Sequence, residues 1–94
     1  MPARPKWTFL TSHASVLLAV AREPGATVRE IAEQAAVTER QAHRVLADLV
    51  ADGYLQRQRV GRRNRYRVDT ARPMRHPTFA DHRVGELLSA LDGS

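Results

Sequence analysis

Residues 27–49 read T-V-R-E-I-A-E-Q-A-A-V-T-E-R-Q-A-H-R-V-L-A-D-L, and the fold turns on this stretch. Thr27 is followed three positions later by Glu30, and Thr38 three positions later by Gln41. In each pair the hydroxyl can accept from the later backbone N–H while the longer side chain reaches back to the earlier one. Two donors that a helix start leaves without partners are thereby satisfied. The pattern predicts two short helices, from about Val28 to Ala35 and from about Glu39 to Ala51, joined across roughly three residues, Ala35 to Val37. Ile31, Ala32, Val37, Ala42, Val45, Leu46 and Leu49 recur at spacings of three and four, so one stripe of each helix faces a shared core. What remains outside on the second helix is Thr38, Glu39, Arg40, Gln41, His43, Arg44 and Ala47. Arg, Gln, His and Thr can read base edges or hold phosphates, and they can equally be an ordinary solvated face; the flanking sequence has to decide.

Upstream, Thr11 or Ser12 can cap a first helix reaching about Arg22, with Val16, Leu17 and Val20 inward, and Pro24-Gly25 ends it. Residues 1–10 read as a tail in which Trp7, Phe9 and Leu10 are expected to cover a small core. Downstream, Asp52-Gly53 supplies the stop of the third helix. Tyr54 to Val60 then reads as a strand, Gly61 to Asn64 as a turn and Arg65 to Asp69 as the returning strand, with Leu55, Tyr66 and Val68 inward. Within this hairpin Arg57, Arg59, Arg62, Arg63, Arg65 and Arg67 fall in eleven residues, with no acid before Asp69. So many like charges repel one another unless an anionic partner relieves them, and the duplex backbone is the obvious relief.

Residues 11–69 resemble a winged helix-turn-helix domain of the MarR/ArsR type of bacterial and archaeal transcription regulators. The resemblance rests on Ala32 where the two helices touch, Val37-Thr38 at the turn, inward Val45 and Leu49, D-G-Y-L at 52–55, and the Arg-rich hairpin around Gly61. Ala36 departs from the pattern, since such motifs usually place a left-handed Gly there, and it implies a strained turn within the same fold. The resemblance further implies a homodimer and, commonly, repression.

Thr70 to Pro77, with Pro73 and Pro77, reads as a linker, after which Thr78 can cap a last helix from about Phe79 to Leu91 with Asp81 in its first turn. Ala80, Val84, Leu87, Leu88 and Leu91 line one side of it.

Ninety-four residues are one domain's worth of chain, and the net charge of +5 is almost wholly arginine, Lys6 being the single lysine. Guanidinium forks suit phosphate oxygens. With no cysteine there is no disulfide and no thiolate metal site. There is no apolar run of membrane-spanning length and no secretory leader pattern, so the expected location is the cytoplasm. His76, Asp81 and His82 could be metal ligands, but Pro77 separates the histidines and no second His lies four residues away on the same helical face, so capping and surface roles are preferred. No nucleophile elbow and no phosphate-binding Gly loop is present, which argues for a binding module without cofactor.

The expectation is therefore a mainly α fold with a small β-hairpin (α+β): a tail at 1–10, a winged helix-turn-helix at 11–69, a linker at 70–77 and a C-terminal dimerisation helix at 78–94. Double-stranded DNA is the expected partner, contacted by Arg29, Thr38, Arg40, Gln41, His43, Arg44, Arg57, Arg59, Arg62, Arg63 and Arg65. Val84, Leu87, Leu88 and Leu91 are the expected dimer contacts. The alternative is a winged-helix protein-docking module with weak, sequence-indifferent DNA affinity.

Overall fold

A computed structural model of the chain describes residues 6–92, so the outermost parts of the expected tail and C-terminal segment, 1–5 and 93–94, lie outside the described residues. Four helices and one hairpin follow in the order α1 (Ser12–Arg22), α2 (Val28–Ala35), α3 (Glu39–Ala51), β1 (Leu55–Val60), β2 (Arg63–Val68) and α4 (Val84–Asp92), with a 3-10 turn at Pro77–Phe79 before the last. The helix starts are set locally. Thr11 accepts from the Ala14 N–H, and both anticipated capping boxes close. In the first box the Glu30 N–H donates to Thr27 Oγ1 at 3.1 Å and the Thr27 N–H to Glu30 Oε1 at 2.9 Å.

The turn between α2 and α3 is closed by Ala36 in the left-handed region, φ 56° and ψ 43°, with its N–H on the carbonyls of Ala32 and Glu33. A Cβ there costs about 1–2 kcal/mol. Ala36→Gly is therefore expected to stabilise the domain by about 0.5–1 kcal/mol, the greater freedom of Gly in the unfolded chain cancelling part of the relief. Thermal unfolding would register a rise of a few degrees. A fall in the midpoint would mean that the Ala36 methyl contributes more by packing than it costs in strain.

Val16, Leu17 and Val20 of α1, Ile31 of α2, Val45, Leu46 and Leu49 of α3, and Leu55 and Tyr66 of the hairpin make one core. Ala32 and the fully buried Ala42 lie on the inner faces of α2 and α3, where small side chains allow a close crossing. Gly53, at φ 83°, turns the chain out of α3, and a Cβ there would stand 2.2 Å from the Arg72 guanidinium.

Three features differ from the sequence expectation. The hairpin turn is shorter, because β2 begins at Arg63 and pairs back to Val60, leaving Gly61-Arg62 as the loop. Gly61 alone has positive φ there, 63°, the pattern of a type II′ turn, whose twist matches that of the strands and lets the ladder run to its end. Trp7 and Phe9 do not cover the core, being 70% and 93% exposed, and they meet edge to face at 5.1 Å, whereas Leu10 is half-buried.

The third difference is the C-terminal segment. Residues 70–76 form no helix or ladder strand of their own, yet they are tied down: Tyr54 Oη donates to the Pro73 carbonyl at 2.6 Å, and the Val84 and Gly85 N–H groups donate to Arg72 and Thr70 at 2.8 and 2.9 Å. Thr78 does not cap α4. The 3-10 turn is capped by His76, whose Nδ1 accepts from the Thr78 N–H. α4 starts five residues later than Phe79, at Val84, where Glu86 reaches back to accept from the Arg83 N–H at 2.6 Å. That bond and the one with His82 hold the Glu86 carboxyl below its ordinary value, while the Glu86 contact, with Asp81 nearby, raises His82. Asp81 thus precedes the helix instead of lying in its first turn.

Candidate nucleic-acid interface

Burial of Ala42, Val45, Leu46 and Leu49 sets the rotation of α3, and with it which residues are outside. Thr38, Arg40, Gln41, His43 and Arg44 are all exposed. Arg40 and Arg44, four residues apart, share one row of that face. Among the described residues neither of them, nor His43, has a side-chain hydrogen bond or ion pair, and Asp48, four residues after Arg44, is taken by His13 of α1 at 2.9 Å. Asp48 therefore braces α3 against α1.

Thr38 and Gln41 are less free than the cations. Thr38 Oγ1 accepts from the Gln41 N–H and Gln41 Oε1 accepts from the Thr38 N–H, both at 3.1 Å. The Gln41 amide nitrogen remains as a donor, so it can meet an acceptor such as a purine N7 but cannot offer adenine the two-pronged contact while the cap is closed. Arg29, near the start of α2, has a side chain 78% exposed with a loose approach of 3.8 Å to Glu33.

In the wing the register decides the arrangement. Residues paired across the strands share a face, so Arg57 and Arg59 lie with Tyr66 and Asn64 on the side carrying the buried Leu55. Arg63, Arg65 and Arg67 lie on the other side with Gln56 and Gln58, and Arg62 is at the tip. Six arginines that follow one another closely in sequence thus divide between two faces. Sequence reading missed this division because it depends on the two-residue turn.

Two of these arginines bond within the chain. Arg59 Nε donates to the Gly61 carbonyl at 3.3 Å, and Arg63 Nη2 to Gly25 at 3.2 Å. With the Tyr66 N–H on the Pro24 carbonyl at 3.3 Å, the latter holds β2 beside the turn between α1 and α2. The wing is thereby fixed relative to the helices, a role for Arg63 and for residues 24–25 that no local pattern signals. Among the described residues Arg57, Arg62, Arg65 and Arg67 make no such bond, and all are exposed.

The expected dimer stripe divides in the same way. Val84 and Leu88 are 4% and 7% exposed in the core of their own chain, while Leu87 is half-buried and Leu91 is 43% exposed. Both pairs are one helical turn apart, so they form two neighbouring rows, and the tied 70–76 segment turns the first row inward. Val84 and Leu88 are therefore packed within their own chain, which leaves Leu87 and Leu91 as the more accessible pair. The residues weighed as metal ligands are engaged locally, His76 at Thr78 and His82 at Glu86.

A three-helix core whose third helix offers free cations, followed by a basic hairpin, defines the winged helix-turn-helix class. The sequence pattern of the MarR family matches residues 8–65, more than half of the chain, and the chain belongs to that family of DNA-binding transcription regulators. No curated protein matches it in a sequence search. Among the described residues no helix is long and apolar enough to cross a membrane.

Proposed function

We propose that the protein is a sequence-specific repressor that binds double-stranded DNA as a homodimer, with α3 in the major groove and the wing on backbone and adjacent minor groove. The observation that carries this reading is the set of exposed arginines on α3 and the wing that have no partner among the described residues, Arg40, Arg44, Arg57, Arg62 and Arg65, while acids such as Asp48 and Asp52 are paired elsewhere. A hairpin with cations on both faces suits a groove with a phosphate strand on either side, Arg62 leading and the flanking arginines reaching the two backbones. Two copies on an inverted repeat place their α3 helices about one DNA turn apart, and a dimer held over a promoter blocks access to it.

Gel shifts of an operator selected from random duplexes, run at several salt concentrations, test this. Arg62→Ala with Arg63→Ala is expected to weaken binding to all sequences alike and to lower the salt slope by roughly one to two. Arg62→Ala alone should account for about one of these. An unchanged affinity and slope would remove the wing from the interface, and equal affinity for specific and random duplexes would favour protein docking.

A further inference from the structure

The first turns of α1, the C-terminal end of α3, the 74–79 segment and α4 enclose an apolar groove of about 650 Å³. Leu17, Leu49 and Val84, all buried, form its floor, and Phe9, Phe79 and Leu87 line it nearer to solvent. Its polar groups already have partners inside the chain. His13 is held by Asp48 and Arg75 by Asp52, each at 2.9 Å, His76 accepts from Thr78, Thr11 from Ala14, and Tyr54 Oη donates to Pro73. An occupant meets carbon, with no unmatched charge to orient a polar ligand.

We infer that the occupant is a second copy of this chain, each copy placing Phe9, backed by Trp7, into the groove of the other. This rests on the homodimer reading above and gives it a surface in which the aromatic side chains are exposed, Leu87 is half-buried and Val84 lies only in the floor. Phe9 lines the groove of its own chain and yet is 93% exposed, so an aromatic side chain of suitable size is present and unused. A two-fold pair uses that side chain and that groove twice, which closes the assembly at two. Trp7, Phe9, Phe79 and Leu91, exposed by 70, 93, 51 and 43%, offer roughly 600 Å² per copy, and a pair covering them reaches the lower end of the area that stable interfaces bury.

Charge points to the same face. Copies with a net charge of +5 repel one another, most strongly where free arginines meet. Those arginines lie on the first turns of α3 and on the wing, whereas the one arginine lining the groove among the described residues, Arg75, is beside the Asp52 carboxylate, and Lys6, next to Trp7 in sequence, is the other cation nearby. Two chains approach here with the least repulsion and leave their DNA faces uncovered.

Trp7 is the sole tryptophan and reports directly on the contact. Sedimentation and Trp7 emission are to be followed together across the micromolar range for the unmodified chain, Phe9→Asp and Leu87→Asp. The expected result is a dimer whose Trp7 emission moves to the blue as it forms, and an association constant at least about tenfold weaker in either variant. Phe9 is too exposed for its replacement to unfold the domain, so that variant stands whether or not Leu87→Asp folds. Mixing the two variants should restore part of the association, because one of the two Phe9 joints is then intact. A dimer indifferent to Phe9→Asp overturns this inference alone and puts the interface elsewhere. A monomeric unmodified chain overturns the homodimer as well, and a duplex titration of the same sample tests DNA binding separately.

Discussion

Leu55→Ala is expected to destabilise the domain by about 2–5 kcal/mol, the range for emptying a fully buried leucine site. Leu55 opens the wing, is 2% exposed and pairs across the ladder with Val68. It is the one side chain of β1 in the core, since the rest of that strand is exposed from Gln56 to Val60. A small domain has on the order of 5–10 kcal/mol in all, so this loss is a large share of it. Denaturant unfolding measures it. The structure also makes a second demand, that the wing arginines lose their fixed position, so DNA affinity should fall in the variant even where it remains folded. A loss under about 1 kcal/mol would mean that the wing is an appendage and not part of the core.

Arg44→Ala is expected to cost about 1–3 kcal/mol of operator affinity, concentrated at one or two base positions. The reason is geometric. Arg44 follows the buried Ala42 and precedes the buried Val45 and Leu46, so the core fixes the direction in which it leaves α3, and nothing among the described residues holds its guanidinium. Arg44→Lys separates its two possible roles, because an ammonium keeps the charge but loses the fork that grips a guanine edge. Binding measured against an operator and its single-base variants should then show lost discrimination with most non-specific affinity kept. A uniform loss across all duplexes would reassign Arg44 to phosphate, and no loss would favour protein docking.

The stretch from Thr27 to Leu49 was legible because its determinants are local. A capping box joins residues three apart, and Ala42, Val45, Leu46 and Leu49 define a face by their spacing alone, so the exposed row with Arg40 and Arg44 follows without knowledge of the rest of the chain. The same holds for Gly53, whose positive φ ends α3, and for Ala36, whose left-handed backbone appears where the sequence departs from glycine.

Beyond that stretch, local pattern misled wherever one residue could serve two neighbours. Thr78 has the chemistry of a helix cap, but His76 takes its N–H, and the chain must turn back to pair Pro73 with Arg83 before α4 can begin. Trp7 and Phe9 have the size of core residues but stand outside the core, Phe9 at the edge of an open groove.

By itself, the sequence determined three helices, a basic hairpin turning at Gly61 and the outward row of α3, each through contacts between residues a few positions apart. Only the tertiary structure decided how the wing arginines divide between two faces, that Arg63 braces the wing on Gly25, and that Val84 and Leu88 belong to their own core. These rest on contacts such as Gly25 with Arg63, Asp52 with Arg75 and Tyr54 with Pro73, between residues 19 to 38 positions apart, whose meeting no local periodicity encodes.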